Sequence, residues 1–132
     1  MSRPATPRSG RVLLVEDSRE NIAYVTELLG EIGCALDTAR DGREALDLFD
    51  PGKYALILMD CQMPVMDGFE ASREIRSREA AAGADRAYIV ALTANATEGV
   101  PERCRAHGMD ETIIKPFEPD TLRALVESRL HA

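Results

Sequence analysis

Residues 54–64 read YALILMDCQMP: six apolar residues run directly into a carboxylate, Asp60, with a proline four places later. A short apolar run without polar alternation suits a strand buried on both faces, as in a parallel sheet. VLLV at 12–15 and YIVAL at 88–92 have the same character, and ALDTA at 35–39 and TII at 112–114 complete five strand candidates. Amphipathic stretches separate them. The first helix is predicted over about 18–31, with Ser18 as N-cap, Ile22, Val25, Leu29 and Ile32 on one stripe, and Gly33 closing it. The second starts at Asp41 with Glu44 in a capping-box spacing and ends near Pro51-Gly52. A third runs from about Asp67 into EAAAGA. A fourth starts late, because Pro101 suits a first helical position, leaving 95–100 as a loop. The fifth follows Pro119 with Leu122, Leu125, Val126 and Leu130 inward. The alternation predicts an α/β fold, (βα)5, with a parallel sheet covered by helices on both faces.

The chain has 132 residues, enough for one domain. Its 16 basic and 23 acidic residues leave a net charge of −7, which argues against nucleic acid or an anionic membrane as main partner. The three cysteines, Cys34, Cys61 and Cys104, show no CxxC spacing, so neither a disulfide framework nor a zinc site is expected, and a reducing cytoplasm is the expected location. Residues 1–10, MSRPATPRSG, read as a flexible tail before a domain at 11–132. No apolar run approaches the roughly 18 residues of a membrane span, so a soluble protein is expected.

In a parallel sheet with right-handed crossovers, residues just past each strand gather along one edge, where ligands of such folds bind. There the chain places Glu16 and Asp17 after VLLV, Asp60 after YALILM, Thr93 after YIVAL and Lys115 after TII. Each has an ordinary explanation: acids before a helix, a strand-end aspartate, a turn threonine, a surface lysine. Their convergence on one edge is what those separate explanations leave unaccounted for. Three clustered carboxylates suit a hard divalent cation, Mg2+ above all where a phosphoryl oxygen shares the site. One carboxylate is then free to attack phosphorus, Thr93 to donate a hydrogen bond to a phosphoryl oxygen, and Lys115 to hold it by charge. No histidine is required, and His107 and His131 are expected away from this edge.

With these segments in place, the sequence resembles the receiver domains of two-component response regulators. The resemblance covers about residues 11–130 and rests on VLLVEDS, LILMDCQMPVMDGFE, ALTANA and IIKPF, in that order. It implies a doubly wound, flavodoxin-like five-stranded sheet of order 2-1-3-4-5 and a cis peptide between Lys115 and Pro116. It further implies Asp60 as the phosphorylated residue, Asp17 as a direct Mg2+ ligand, Glu16 as a ligand through water and the Gln62 backbone carbonyl as a further ligand. Thr93 and Lys115 would contact the phosphoryl group, and Gln62 and Asn95 would influence its hydrolysis. The implied partners are a histidine kinase or a histidine phosphotransfer protein, which in this family often meets the first helix, here Asn21, Tyr24 and Val25. MDCQMPVMDG looks closest to hybrid-kinase and phosphorelay receivers. The chain stops after the fifth helix, so no output domain is expected on it.

The family commonly has Tyr or Phe three positions before the lysine; here that position is Thr112. The usual threonine–aromatic coupling therefore has no ring to act through, and the loop before Pro101 is expected to carry much of the conformational response. Cys61 reads as a packing residue, since neighbouring residues diverge in direction. Met59, Met63, Met66 and Met109 read as core and loop filler. Phe117 fits either packing or a partner surface.

Two other readings fit less well. An aspartyl phosphohydrolase of the haloacid-dehalogenase type wants D-x-D after the first strand, where Glu16-Asp17 is followed by Ser18 and Arg19. A flavin or nucleotide binder wants a Gly, Ser or Thr phosphate loop there, and two carboxylates would repel phosphate.

Overall fold

The computed structural model describes residues 11–61, 68–94, 99–115 and 117–130. The tail at 1–10, Gln62, Met63, Met66, Asn95, Pro116 and His131, and the side chain of Leu130, lie outside the described residues. The elements are β1 (Arg11–Val15), α1 (Arg19–Ile32), β2 (Ala35–Ala39), α2 (Gly42–Leu48), β3 (Leu56–Asp60), α3 (Gly68–Ala82), β4 (Tyr88–Thr93), α4 (Val100–Ala106), β5 (Glu111–Ile114) and α5 (Pro119–Leu130). The strands form one parallel sheet of order β2-β1-β3-β4-β5, as expected.

Strand alternation sorts the core into two layers. Leu13, Val15, Ile57, Met59, Ile89 and Ala91 point to one face, where they meet Leu46, Phe69, Ile75 and Cys104 of α2, α3 and α4. Val12, Leu14, Leu56, Leu58, Val90 and Leu92 point to the other, against Val25, Leu28 and Leu29 of α1 and Leu122 and Val126 of α5. Every residue of β3 is buried. At about 1.5–3 kcal/mol for each large apolar side chain removed from water, this central strand is the best-anchored part of the sheet. Edge strand β2 is held by polar contacts as well: Asp37 Oδ2 accepts from the Tyr54 hydroxyl at 2.6 Å and from Arg11 Nη1 at 3.1 Å.

Several boundaries differ from the sequence reading. The third strand is Leu56–Asp60, so Tyr54 and Ala55 precede it and Asp60 is its last residue; Thr93 likewise ends β4. α2 stops at Leu48, because Phe49 turns extended before Pro51 is reached. α3 begins at Gly68. Val100 is already helical, with Gly99 at φ 95° before it and Pro101 in the first turn. Ser18 caps α1 by accepting from Asn21 N at 3.3 Å, and Gly33, at φ 90°, closes it. The capping box of α2 is displaced by one residue. Asp41 Oδ1 accepts from Glu44 N, but the Glu44 carboxylate accepts from Arg40 N rather than from the cap itself.

Candidate functional site

Sheet register brings the predicted residues to one edge. Val15 pairs with Met59, so Glu16 follows at the level of Asp60; Asp60 pairs with Leu92, and Thr93 follows; Thr93 pairs with Ile114, and Lys115 follows. Backbone hydrogen bonds fix these residues: Glu16 N donates to Ala39 O at 2.9 Å, Cys61 N to Leu92 O at 3.0 Å and Lys115 N to Thr93 O at 2.7 Å. The strand ends are therefore rigid.

The carboxylates of Glu16, Asp17 and Asp60 each offer an oxygen, and these lie within 4.8 Å of one another. Glu16 and Asp60 are buried, whereas Asp17 is exposed. Lys115 Nζ stands 3.0 Å from Glu16 Oε1 and 3.4 Å from Asp60 Oδ2. Glu16 Oε1 is fully buried, and the ammonium is what meets it. The other oxygen, Oε2, accepts from Ser18 N at 3.2 Å. Burial pulls the Lys115 pKa down, but the hydrogen bond to Glu16 and the charge of Asp60 outweigh it, and the net shift is upward. The lysine is thus held charged.

One ammonium against three carboxylates leaves an excess of negative charge around hard oxygen donors, with one donor open to solvent. That donor set fits a small divalent cation. Thr93 is buried at the end of β4, one strand over from Asp60. All of Glu16, Asp17, Asp60, Thr93 and Lys115 come together at this edge. Gln62 lies outside the described residues. His107 caps the C-terminal end of α4, and its ring lies 5.1 Å from that of Phe69.

Three further features were not drawn from the sequence. Gly68 approaches the strand so closely that a Cβ there would collide with Asp60 O. The only sequence signal was a glycine at the foot of an amphipathic helix. A cleft of about 620 Å3 opens beside Lys115, lined by Asn21, Tyr24, Ala94, Phe117 and Glu118 among others. Phe117 packs on its wall, its ring centroid 5.7 Å from that of Tyr24, whose hydroxyl donates to Phe117 O at 3.3 Å, a placement compatible with both the packing and the partner-surface readings. Finally, Cys61 Sγ lies 3.9 Å from Cys104 Sγ, a proximity that spacing alone does not suggest. Burial, together with the neighbouring Cys104 and Asp60, pushes the Cys61 thiol pKa well up.

Comparison with known proteins agrees with this geometry. The sequence profile described as response regulator receiver domain matches residues 12–127. Histidine kinase 5 of Arabidopsis thaliana is 35% identical over 92% of this chain, and the aerobic respiration control sensor protein ArcB of Escherichia coli K12 is 39% identical over 88%. The chain spans only 16% and 14% of those proteins' lengths. Among solved structures, the receiver domain of sensor histidine kinase PA1611 from Pseudomonas aeruginosa, with a magnesium ion coordinated in its active site cleft, superposes with a TM-score of 0.81. It is 35% identical, over 94% of this chain and 99% of that one. The receiver domain of Ssk1 from Saccharomyces cerevisiae, solved with the histidine phosphotransfer protein Ypd1, gives a TM-score of 0.84. Its identity is 29%, over 90% of this chain and 87% of that one. Fold, carboxylate edge and sequence profile lead to one assignment: the chain belongs to the family of response regulator receiver domains of two-component and phosphorelay signalling.

Proposed function

We propose that this receiver takes a phosphoryl group onto Asp60 from a phosphohistidine, carried by a histidine kinase or a histidine phosphotransfer protein, and signals by changing conformation. The observation that carries the reading is the Lys115 ammonium, set between Glu16 and Asp60 inside the carboxylate cluster. It supplies fixed positive charge beside the acceptor oxygen. Glu16, Asp17 and Asp60, with the backbone carbonyl of Gln62, would hold Mg2+. When bound, the cation neutralises phosphoryl oxygens and offsets the repulsion between two anions brought together.

The chain's own residues supply the rest. An Asp60 carboxylate oxygen attacks phosphorus; the O–P bond forms as the P–N bond to the imidazole breaks, and the electron pair leaves on the ring nitrogen. The Thr93 hydroxyl donates a hydrogen bond to a phosphoryl oxygen, and Lys115 shifts its ion pairing from the carboxylate to the phosphoryl group. Such transfer depends on positioning and charge neutralisation. Water later hydrolyses the acyl phosphate and returns Asp60, so the chain promotes its own phosphorylation and dephosphorylation without turning over a separate substrate. The cleft bounded by Asn21, Tyr24 and Phe117 opens at Lys115 and is the entry for the phosphodonor side chain.

Among the described residues no helix is long and apolar enough to cross a membrane. The charge of −7 argues against nucleic acid as partner, and free cysteines together with a phosphohistidine donor suit a cytoplasmic setting. Thr112 stands half-buried on β5 opposite Ala91, so the conformational signal passes through α4 and the segment before it instead of through an aromatic switch.

Incubation with acetyl phosphate and Mg2+, read by intact mass, tests the proposal. The wild type gains one phosphoryl mass, while Asp60→Asn and an EDTA-treated sample gain none. Absence of any gain in the wild type would replace the mechanism.

A further inference from the structure

Cys61 and Cys104 come from distant parts of the chain. Cys61 follows the last residue of β3, and Cys104 lies in the middle of α4. Both thiols are buried in the same core layer, with Sγ atoms 3.9 Å apart. A disulfide needs about 2.05 Å between sulfurs, so rotation about the two Cα–Cβ bonds and a small inward movement of α4 close the gap. The third thiol, Cys34, packs on the opposite face of the sheet. Among the described cysteines only this pair can join within one chain.

The two anchors differ in rigidity. Cys61 is clamped by its backbone, its N–H donating to Leu92 O at 3.0 Å and its carbonyl accepting from Gly68 N at 3.3 Å. α4 is seven residues long, shorter than the roughly 12–15 that give a helix stability of its own, and Gly99 provides no side-chain cap. Its apolar anchors are Cys104 and the partly buried Val100, and Arg103 lies over the Phe69 ring at 4.1 Å. Such an element opens locally at small cost, which lets a small oxidant reach thiols that are closed at rest.

We infer that Cys61 and Cys104 form a peroxide-sensitive thiol pair whose oxidation ties α4 to the end of the strand that bears Asp60. Closed at rest, the buried and protonated thiols are unreactive. Once α4 opens and water reaches them, one loses its proton and the thiolate attacks a peroxide oxygen as the O–O bond breaks, giving a sulfenic acid and, with that proton, water. The second thiol then displaces the hydroxyl as water as the S–S bond forms. Hydrogen peroxide accepts the two electrons and becomes two waters, and a dithiol reductant reverses the step. The covalent tie removes the opening freedom of this short helix and gives the domain an input separate from phosphorylation. The inference does not depend on what Asp60 accepts.

The test uses the full chain carrying Cys34→Ser, which prevents cross-linking between chains. After hydrogen peroxide treatment, denaturation and alkylation, the expected product has lost two hydrogens, resists alkylation and yields a cross-linked peptide joining 61 to 104; dithiothreitol restores both thiols. Cys104→Ala in the same background is expected to leave Cys61 carrying added oxygen instead. Two alkylatable thiols, or independent oxygen gains without a cross-link, would overturn the pairing. Amide exchange at residues 103–107 is expected to slow several-fold in the cross-linked protein, and unchanged exchange would overturn the tie to α4.

Discussion

Lys115 Nζ lies 3.0 Å from Glu16 Oε1, an ion pair between the strand-end residues of β5 and β1 that closes over a glutamate only 1% exposed. The same ammonium is 3.4 Å from Asp60. Lys115 is therefore part of the resting structure as well as of the proposed chemistry. Lys115→Met would leave two buried carboxylates facing each other, and removing one partner of a buried pair costs about 3–5 kcal/mol; the partial exposure of Lys115 lowers the expected loss to about 2 kcal/mol. Adding Asp60→Asn removes the repulsion and should recover part of the loss. Urea unfolding of the single and double variants without metal measures both.

The carboxylate excess predicts stabilisation by Mg2+. A ligand that binds only the folded state at 100 times its Kd adds about 2.7 kcal/mol. Wild-type Tm should rise with Mg2+ concentration. Asp17→Asn, at an exposed position, should change metal-free stability by no more than about 0.5 kcal/mol and yet abolish most of that rise. Thermal melts across a Mg2+ titration separate the two effects.

Gly68→Ala should damage stability and acceptor geometry together. The added Cβ collides with Asp60 O and comes within 2.9 Å of Met59 Cγ, and the backbone oxygen cannot move without moving Asp60. Overpacking of this kind costs about 1–3 kcal/mol. Denaturant midpoints should fall, and labelling by acetyl phosphate should slow even at temperatures where the variant is fully folded.

The Tyr54–Asp37 contact sets a pH response away from the site. Burial and the Asp37 hydrogen bond raise the Tyr54 phenol above its usual value near 10, so the stability it contributes is complete below about pH 10 and is lost as pH rises beyond it. For Asp37, the Tyr54 hydrogen bond and the Arg11 charge prevail over burial and lower the pKa. Its contribution is complete above the unfolded value near 4 and is lost as pH falls through the folded one. Tyr54→Phe should lower stability at pH 7 and flatten the decline above pH 10. Urea unfolding at pH 7 and pH 11 gives the comparison.

Buried parallel strands declare themselves through unbroken apolar runs, which is why β1, β3 and β4 and the residues at their ends were legible from sequence. Edge strand β2 was legible through its position between helices, since ALDTA alone carries little signal. Helix ends were read well where a cap acts locally, at Ser18 and Gly33. They were misread where tertiary context decides, as at Leu48, where the chain turns away before Pro51 is reached. The convergence of Glu16, Asp17, Asp60, Thr93 and Lys115 was legible because each lies at, or just past, the end of a strand in one sheet. The Gly68 contact with Asp60 O and the Cys61–Cys104 approach depend on how α3 and α4 lie across β3, and sequence spacing carries no record of that.

In the proposed mechanism Asp60 itself receives the phosphoryl group. Borohydride reduction of the labelled protein converts an aspartyl phosphate into homoserine, and peptide mass mapping locates the change. Homoserine is expected at position 60 alone, formed only when Mg2+ is present during labelling. Label on Asp17, on His107 or at any other position, with Asp60 unmodified, would contradict it.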